Sequence, residues 1–183
     1  MELFINKAQL LFIGGNILSN NILSDLEPKS VFNYFEQICS IPHGSRNTKQ
    51  ISDFCVSFAK EHNLKYSPFC GKVGGSPVEL TGSIDEIVSS AKECIEKGAD
   101  GVDLTAYRYA DGDPIELTKA IVDAIGADKV CIAGSVGNEE RMNQMKDAGV
   151  AEYTMGSALF NANFVEGGTF RENLEYVLNY LRK

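Results

Sequence analysis

The sequence lacks both a long hydrophobic run and an excess of basic residues. No stretch approaches the ~20 consecutive apolar residues of a membrane-spanning helix. The 17 Lys and Arg residues are outnumbered by 25 Asp and Glu residues, so the formal net charge is -8. Because nucleic acids and anionic membranes are bound through basic surfaces, this composition argues against both as the main partner.

Paired cysteines are also missing. The five cysteines lie far apart, with no Cys-x-x-Cys motif among Cys39, Cys55, Cys70, Cys94 and Cys131. An odd number of widely spaced cysteines is typical of reduced thiols. The apolar run at residues 8–13 is too short for a signal peptide and lacks a small-residue cleavage site, and it is either a strand or a hydrophobic tail. We therefore expect a cytoplasmic protein.

Charge and composition change in the middle third of the chain. Residues 1–69 carry six basic and six acidic residues, whereas residues 70–183 carry eleven and nineteen. Residues 70–80 are rich in glycine and contain Pro77, which is typical of a junction between structural units. The sequence therefore predicts two domains, residues 1–69 and residues 70–183.

The first domain has the apolar periodicity of two helices. Apolar side chains recur at helical spacing from Pro28 until the pair Ile41-Pro42 interrupts the pattern. Asn47 followed by Gln50 predicts the capped start of a second helix. We expect a helical hairpin over residues 28–63, packed through four phenylalanines: Phe32, Phe35, Phe54 and Phe58.

The same region resembles a known family. Residues 23–64 read LSDLEPKSVFNYFEQICSIPHGSRNTKQISDFCVSFAKEHNL, and the phrases LEPKSVFNYFEQI and IPHGS are similar to the N-terminal helices of the aminoacyl-histidine (Xaa-His) dipeptidase family. The resemblance implies relatedness to di-zinc peptidases, whose metal ligands begin downstream with a His-x-Asp on a strand. The present sequence leaves that pattern by about Ser67.

The residues that zinc chemistry requires do not follow. The two histidines, His43 and His62, have no carboxylate at metal-ligand spacing, and we interpret them as loop and packing residues. A zinc peptidase needs a metal to activate water and a carboxylate base beside it. We therefore expect no bound metal, no cofactor and no metal-dependent peptidase activity.

Residues 70–183 alternate between short apolar runs and helical periodicity. Three capping patterns mark helix starts: Ser83 with Glu86, Asp113 with Pro114 and Glu116, and Thr169 with Glu172. Strands are predicted at residues 101–105, 130–133 and 151–155, with a fourth at residues 78–81. This alternation is typical of an α/β fold with a parallel sheet and right-handed crossovers.

Two of the predicted strands end at a Gly-Ser pair, Gly134-Ser135 and Gly156-Ser157. Glycine lets the backbone approach a bound group, and the first N–H groups of the helix that follows point at that group. Because neighbouring parallel strands end at the same edge of a sheet, we expect both helix starts to converge on one phosphate. The alternative is that the glycines only let the helices pack closely on the sheet.

This arrangement resembles the seventh and eighth units of a phosphate-binding (β/α)8 barrel, in which the loops after those strands hold a phosphate. The complete fold has ~250 residues and eight strands. We therefore predict that residues 70–183 form the C-terminal half of a TIM-type barrel, preceded by the helical hairpin. The unpaired edges of such a half barrel predict a homo-oligomer.

Candidate catalytic residues follow the first predicted parallel strand. Asp103 is suited to act as a base or to orient a substrate, and Arg108 offers a positive charge to a carboxylate or phosphate. Alternatively, Asp103 faces a helix and Arg108 is a solvated loop residue. The sequence fits a protein that binds a small anionic or phosphorylated ligand, including a lyase or isomerase. The other interpretation is a hybrid of two unrelated gene pieces with no activity of its own.

Overall fold

The structure of the chain is a computed structural model, and it describes residues 22–44 and 47–182. The apolar run at residues 8–13 and the loop residues Ser45 and Arg46 lie outside the described residues. The chain divides into two compact units, with the division between Asn63 and Leu64.

The first unit contains both predicted helices. Helix α1 spans Lys29–Ser40 and helix α2 spans Lys49–Glu61. Helix α1 ends where expected, because Ile41 precedes a proline and has an extended backbone. The predicted Asn47–Gln50 capping pair is wrong: the N-cap of α2 is Thr48, and it forms no side-chain capping hydrogen bond.

Aromatic rings join the two helices, but not all of those predicted. The ring of Tyr34 lies edge-on to Phe58 with centroids 5.0 Å apart, and Phe58 packs against Phe54 and His62 at 6.3 and 4.2 Å. Phe35, which was predicted to face inward, is 54% exposed. Consecutive residues point about 100° apart on a helix, so the contact through Tyr34 turns Phe35 away.

The second unit contains five strands and five helices within its described residues. In chain order these are β1 (Lys72–Gly74), β2 (Glu79–Thr81), α3 (Ile84–Glu96), β3 (Val102–Leu104), α4 (Pro114–Ile125), β4 (Val130–Ile132), α5 (Glu139–Asp147), β5 (Glu152–Tyr153), α6 (Ser157–Phe160) and α7 (Phe170–Leu181). Single 3-10 turns occupy Ala106–Arg108 and Ala127–Lys129.

Strands β3, β4 and β5 form a parallel sheet in that order. This confirms the prediction of an α/β fold with a parallel sheet. Alternate residues of the strands point to one face and are buried in the hydrophobic core, as the two-residue period of a strand requires. The residues of this face are Val102, Leu104, Val130 and Ile132.

The fourth predicted strand is present but does not belong to the parallel sheet. Strand β2 pairs antiparallel with β1, with Val73 opposite Leu80. The position beside β3 is instead taken by residues 66–70: Phe69 forms a parallel bridge with Asp103, and the Asp103 N–H donates to the Pro68 carbonyl at 2.9 Å. Proline cannot donate to a ladder, but its carbonyl can accept at an edge.

The contacts of residues 66–70 explain why the second unit begins before the predicted boundary at residue 70. The Asp100 N–H donates to the Tyr66 carbonyl at 2.9 Å, and the Tyr66 N–H donates to the Asp100 carboxylate at 2.9 Å. Backbone pairing with β3 therefore attaches this segment to the second unit, whereas the sequence analysis grouped it with the first.

The three helix caps predicted for residues 70–183 are present. In the α3 box, the Glu86 N–H donates to Ser83 Oγ at 3.2 Å and the Ser83 N–H donates to the Glu86 carboxylate at 2.8 Å. Thr169 and Glu172 form the equivalent box at α7, and Asp113 caps α4 through its side chain. Across the described ranges, no helix combines the length and the apolar character needed to cross a membrane.

Replacing Ile132 by Ala is expected to lower the free energy of unfolding by about 2–5 kcal/mol, because this side chain is fully buried in the central strand. The preceding residue, Cys131, lies on the opposite, half-exposed face. Replacing Cys131 by Ala is expected to lower the free energy of unfolding by less than about 1 kcal/mol. Urea unfolding followed by circular dichroism measures both. Equal losses in the two variants would contradict the assignment of the faces.

Candidate functional site

The two Gly-Ser turns lie at the same edge of the parallel sheet. The Thr154 N–H donates to the Ile132 carbonyl at 2.9 Å, which continues the pairing of β4 and β5 past their ends. The Gly134 N–H then donates to Thr154 Oγ1 at 2.9 Å. The structure therefore brings the turn after β4 against the segment that leads into Gly156-Ser157.

Both glycines of these turns border open space. A Cβ atom added at Gly134 or at Gly156 would have no heavy atom within 4 Å. Close packing of a helix therefore does not require glycine at either position. Gly134 has a φ of 76° and Ser135 a φ of 63°, so the turn needs glycine for its left-handed backbone and holds a serine in a conformation that is uncommon for such a residue.

Only one of the two helices starts at its Gly-Ser pair, namely α6 at Ser157. Helix α5 begins at Glu139, after Gly134-Ser135, and its N-cap side chain, Asn138, accepts from the Arg141 N–H at 2.9 Å. Its first turn also carries Glu139 and Glu140, which oppose an anion. Helix α6 is only four residues long, and so short a helix contributes little macrodipole.

A positive charge that the sequence analysis missed lies at this edge. Arg141 Nη1 donates to the Ser135 carbonyl at 2.6 Å, and Arg141 Cζ lies 4.4 Å from the centroid of the Tyr107 ring. Tyr107 in turn donates its hydroxyl to Gln144 Oε1 at 2.8 Å. The stacking and the carbonyl bond hold the guanidinium against the turn after β4.

The Tyr107 hydroxyl is neutral in this arrangement. Burial raises the pKa of Tyr107, and the nearby Arg141 guanidinium only partly offsets that effect. Arg141 therefore stacks on an uncharged ring. A basic residue in the first turn of the helix that follows a glycine turn is the signal by which the sequence could have identified Arg141.

Within the described residues, no hydrogen bond or ion pair joins the two predicted catalytic residues. Asp103 lies in the middle of β3, opposite Cys131 of β4. Arg108 is exposed, and its Nη1 donates to the Val78 carbonyl at 3.3 Å. Among the residues that the structure describes, no ion pair includes either side chain.

Asp103 belongs instead to a row of polar side chains on the face of the sheet opposite the core. Asp103, Cys131 and Glu152 are in register across the three strands, and Glu152 pairs with Lys65 at 3.0 Å. Burial raises the pKa of Asp103, although a hydrogen bond with Cys131 partly opposes this. Burial and the neighbouring carboxylates raise the pKa of Cys131 to about 11, so it remains a thiol.

Two buried hydroxyl groups have no hydrogen-bond partner within the described part of the chain: Thr105 Oγ1 and the Tyr153 hydroxyl. Thr105 directly follows β3, at the carboxyl end of the sheet, and is only 6% exposed. A buried polar atom without a partner is costly unless water or a bound group satisfies it. The Thr105 hydroxyl group at this end of the sheet therefore has no partner among the described residues.

A second concave site lies in the first unit. A cleft of about 360 Å3 in the first unit is lined by Ser24, Lys29, Ser30, Asn33 and Glu36, and contains none of the predicted site residues. Within residues 22–44 and 47–182, no group of three or more His, Cys, Asp or Glu residues is arranged to hold a metal ion.

Comparison with known proteins gave no match: no family model fits the chain, and no curated protein or solved structure is significantly similar to it.

Replacing Asp103 by Asn is expected to raise the midpoint of thermal unfolding at pH 7. Folding raises the pKa of the Asp103 carboxyl group, so the protonated form of this group favours the folded state. That contribution is fully present below the unfolded pKa and is lost as the pH rises through the folded pKa. At pH 7 the charged carboxylate therefore opposes folding, and Asn removes this cost. The gain in the variant should therefore shrink on acidification and vanish below about pH 4.

The matched control is Asp123→Asn, which removes an exposed carboxylate from α4 and should leave the midpoint nearly unchanged at every pH. Destabilisation of the Asp103→Asn variant at pH 7 would show that the Asp103 carboxylate has a stabilising partner and would refute the role of burial.

Proposed function

We propose that the second unit is the C-terminal half of a (β/α)8 barrel and that its carboxyl edge binds a small anionic or phosphorylated metabolite. The ligand lies between the turns Gly134-Ser135 and Gly156-Ser157. The observation that carries this proposal is the open space beside both glycines, at two turns that the Gly134–Thr154 hydrogen bond holds together.

Arg141 supplies the charge that the site requires. The formal net charge of -8 opposes any anion, and helix dipoles add little here, so a local cation is needed. The Arg141 guanidinium carries five N–H donors, one of which is used on the Ser135 carbonyl. Charge-assisted bonds from the remaining donors are suited to a phosphate or carboxylate oxygen. Binding is weak and depends on salt concentration, because the turns are only partly buried.

Catalysis by a lyase-like or isomerase-like reaction would use Asp103 as the base and Arg108 as the positive charge. The alternative is binding without turnover, in a hybrid whose first unit is derived from a dipeptidase ancestor. Two observations favour this alternative. Arg108 is engaged by the Val78 carbonyl, and Asp103 lies within the strand rather than at its carboxyl end.

Gly156→Val is expected to weaken phosphate binding by about tenfold or more, which corresponds to about 1.4 kcal/mol, because the side chain would occupy the space of the ligand. The fold should survive, since a Cβ added at Gly156 would have no heavy atom within 4 Å. Titration of inorganic phosphate, followed by backbone amide shifts, measures the affinity at residues 134–138 and 156–159.

The control for added bulk is Gly74→Val, at another glycine with no heavy atom within 4 Å of an added Cβ. This variant should bind phosphate as the wild type does. If the wild type shows no saturable shifts in these two turns, the proposed site does not exist.

Arg141→Gln is expected to reduce the affinity for phosphate by about tenfold or more, because a charge-assisted hydrogen bond is replaced by a neutral one. Arg141→Lys should reduce the affinity for phosphate by less, since lysine retains the positive charge. Arg171→Gln, which removes an exposed arginine from α7, serves as the control for net charge. Similar losses in the Arg141 and Arg171 variants would show that binding responds to overall charge and not to this site.

A further inference from the structure

The second unit contains four parallel segments, each followed along the chain by a helix. The first segment is residues 66–70, which bridges to β3, and the others are β3, β4 and β5. The corresponding helices are α3, α4, α5 and α7. Residues 64–182 therefore supply four consecutive β–α units, which is half the number in a closed eight-stranded barrel.

Among the described residues of the second unit, no helix covers the face of this sheet opposite the hydrophobic core. Phe69 is 54% exposed, and the side chain of Glu152 is 55% exposed, although these residues lie on the first and last segments of the set. The Lys65–Glu152 ion pair joins β5 to the residue that directly precedes the first segment. Parallel sheets are normally buried on both faces, so this face requires a cover.

The two edges of the sheet are also unpaired within the described residues. Residues 66–70 form one edge and β5 forms the other. If two copies are related by a twofold axis, β5 of each copy lies parallel to residues 66–70 of the other. Each edge then has a partner, and eight strands close into a barrel without leaving an open end.

The second unit exposes apolar side chains on the edge segment 66–70 and on helices α6 and α7, and an interface with a second copy would bury part of this area. Three phenylalanines contribute most: the exposed fractions are 54% for Phe69, 75% for Phe160 and 43% for Phe170. Because an aromatic side chain has an area of about 150–250 Å2, their summed exposed area is about 350 Å2. Leu178 and Leu181 of α7 are 42% and 54% exposed and add to this area. A standard interface buries about 800 Å2 per partner, of which somewhat more than half is apolar.

We propose that the open face and the two edges of the second unit bind a second copy of this chain, so that two half barrels close one eight-stranded (β/α)8 barrel. This inference rests on the half barrel of the proposed function. The partner also completes the anion site: the turn Gly156-Ser157 follows the edge strand β5, and residues 66–70 of the partner form the missing wall beside it.

Light scattering coupled to size-exclusion chromatography tests the assembly of the full chain. The expected result is a particle of twice the 20.0 kDa chain mass over a wide range of concentration. A monomer, a trimer or an open-ended polymer would overturn the proposal. A dimer that shows no phosphate binding would reject the anion site and with it the proposed function, but would leave the closure of two half barrels standing, so the two failures are distinguishable.

Charged substitutions test the location of the interface. Phe69→Lys on the open face and Leu178→Lys on α7 should each shift the protein to the monomer while the far-UV circular dichroism is retained. The matched control is Phe35→Lys, because Phe35 in the first unit has the same 54% exposure as Phe69. Loss of the dimer in the control, or its survival in both other variants, would overturn the assignment.

Amide hydrogen exchange gives a readout that does not depend on the stability of any one variant. In the wild-type dimer, peptides that contain residues 66–70 and 151–156 should exchange slowly, because both edges are paired. The same peptides should exchange faster in the Phe69→Lys monomer, whereas peptides from β4 should change little. Equal exchange at the edges in both proteins would contradict closure of the barrel through these strands.

Discussion

The second unit depends on the alternation of side chains along three very short parallel strands. Val102, Leu104, Val130 and Ile132 are buried because they share one face, and Asp103 and Cys131 share the other. A slip of one residue would place a carboxyl group in the core and an aliphatic side chain in water. Strands of two or three residues have few ladder hydrogen bonds of their own, so this pattern of burial fixes the register.

The same register positions the candidate site. Because β4 and β5 are aligned, Thr154 follows β5 where its hydroxyl can accept from the Gly134 N–H. The chain then turns through left-handed conformations at Gly134 and Ser135, which presents the Ser135 carbonyl to Arg141. The Thr154 hydroxyl thus takes the place of a backbone carbonyl as the acceptor where the β4–β5 ladder ends. This hydrogen bond determines the geometry of the turn.

Features with local causes were predictable from the sequence. The capping boxes Ser83–Glu86 and Thr169–Glu172 depend on residues three positions apart, and strands β3, β4 and β5 lie within the three segments predicted as parallel strands. Asn138 followed by two glutamates is a local helix-start signal that the sequence analysis overlooked, so the start of α5 was misplaced.

Features with distant causes were not predictable in this way. Residues 66–70 contain Pro68 and have no clear strand pattern, and only their pairing with β3 attaches them to the sheet. Tyr34 rather than Phe35 meets Phe58 because of how two helices are rotated against each other. The position of Arg141 depends on a ring, Tyr107, that is distant in sequence. Each of these requires knowledge of the neighbours in space.

The five thiols of the chain differ in their chemical environment, and the difference follows the division into two units. Cys39 and Cys55 of the first unit are exposed. In the second unit, burial raises the pKa of Cys70 to about 12 and that of Cys131 to about 11, and it also raises the pKa of Cys94. Because only the thiolate is strongly nucleophilic, a maleimide fluorophore added at neutral pH would label the first unit preferentially. The native cysteines thus provide a reporter for motions of the helical unit that leaves the sheet unmodified.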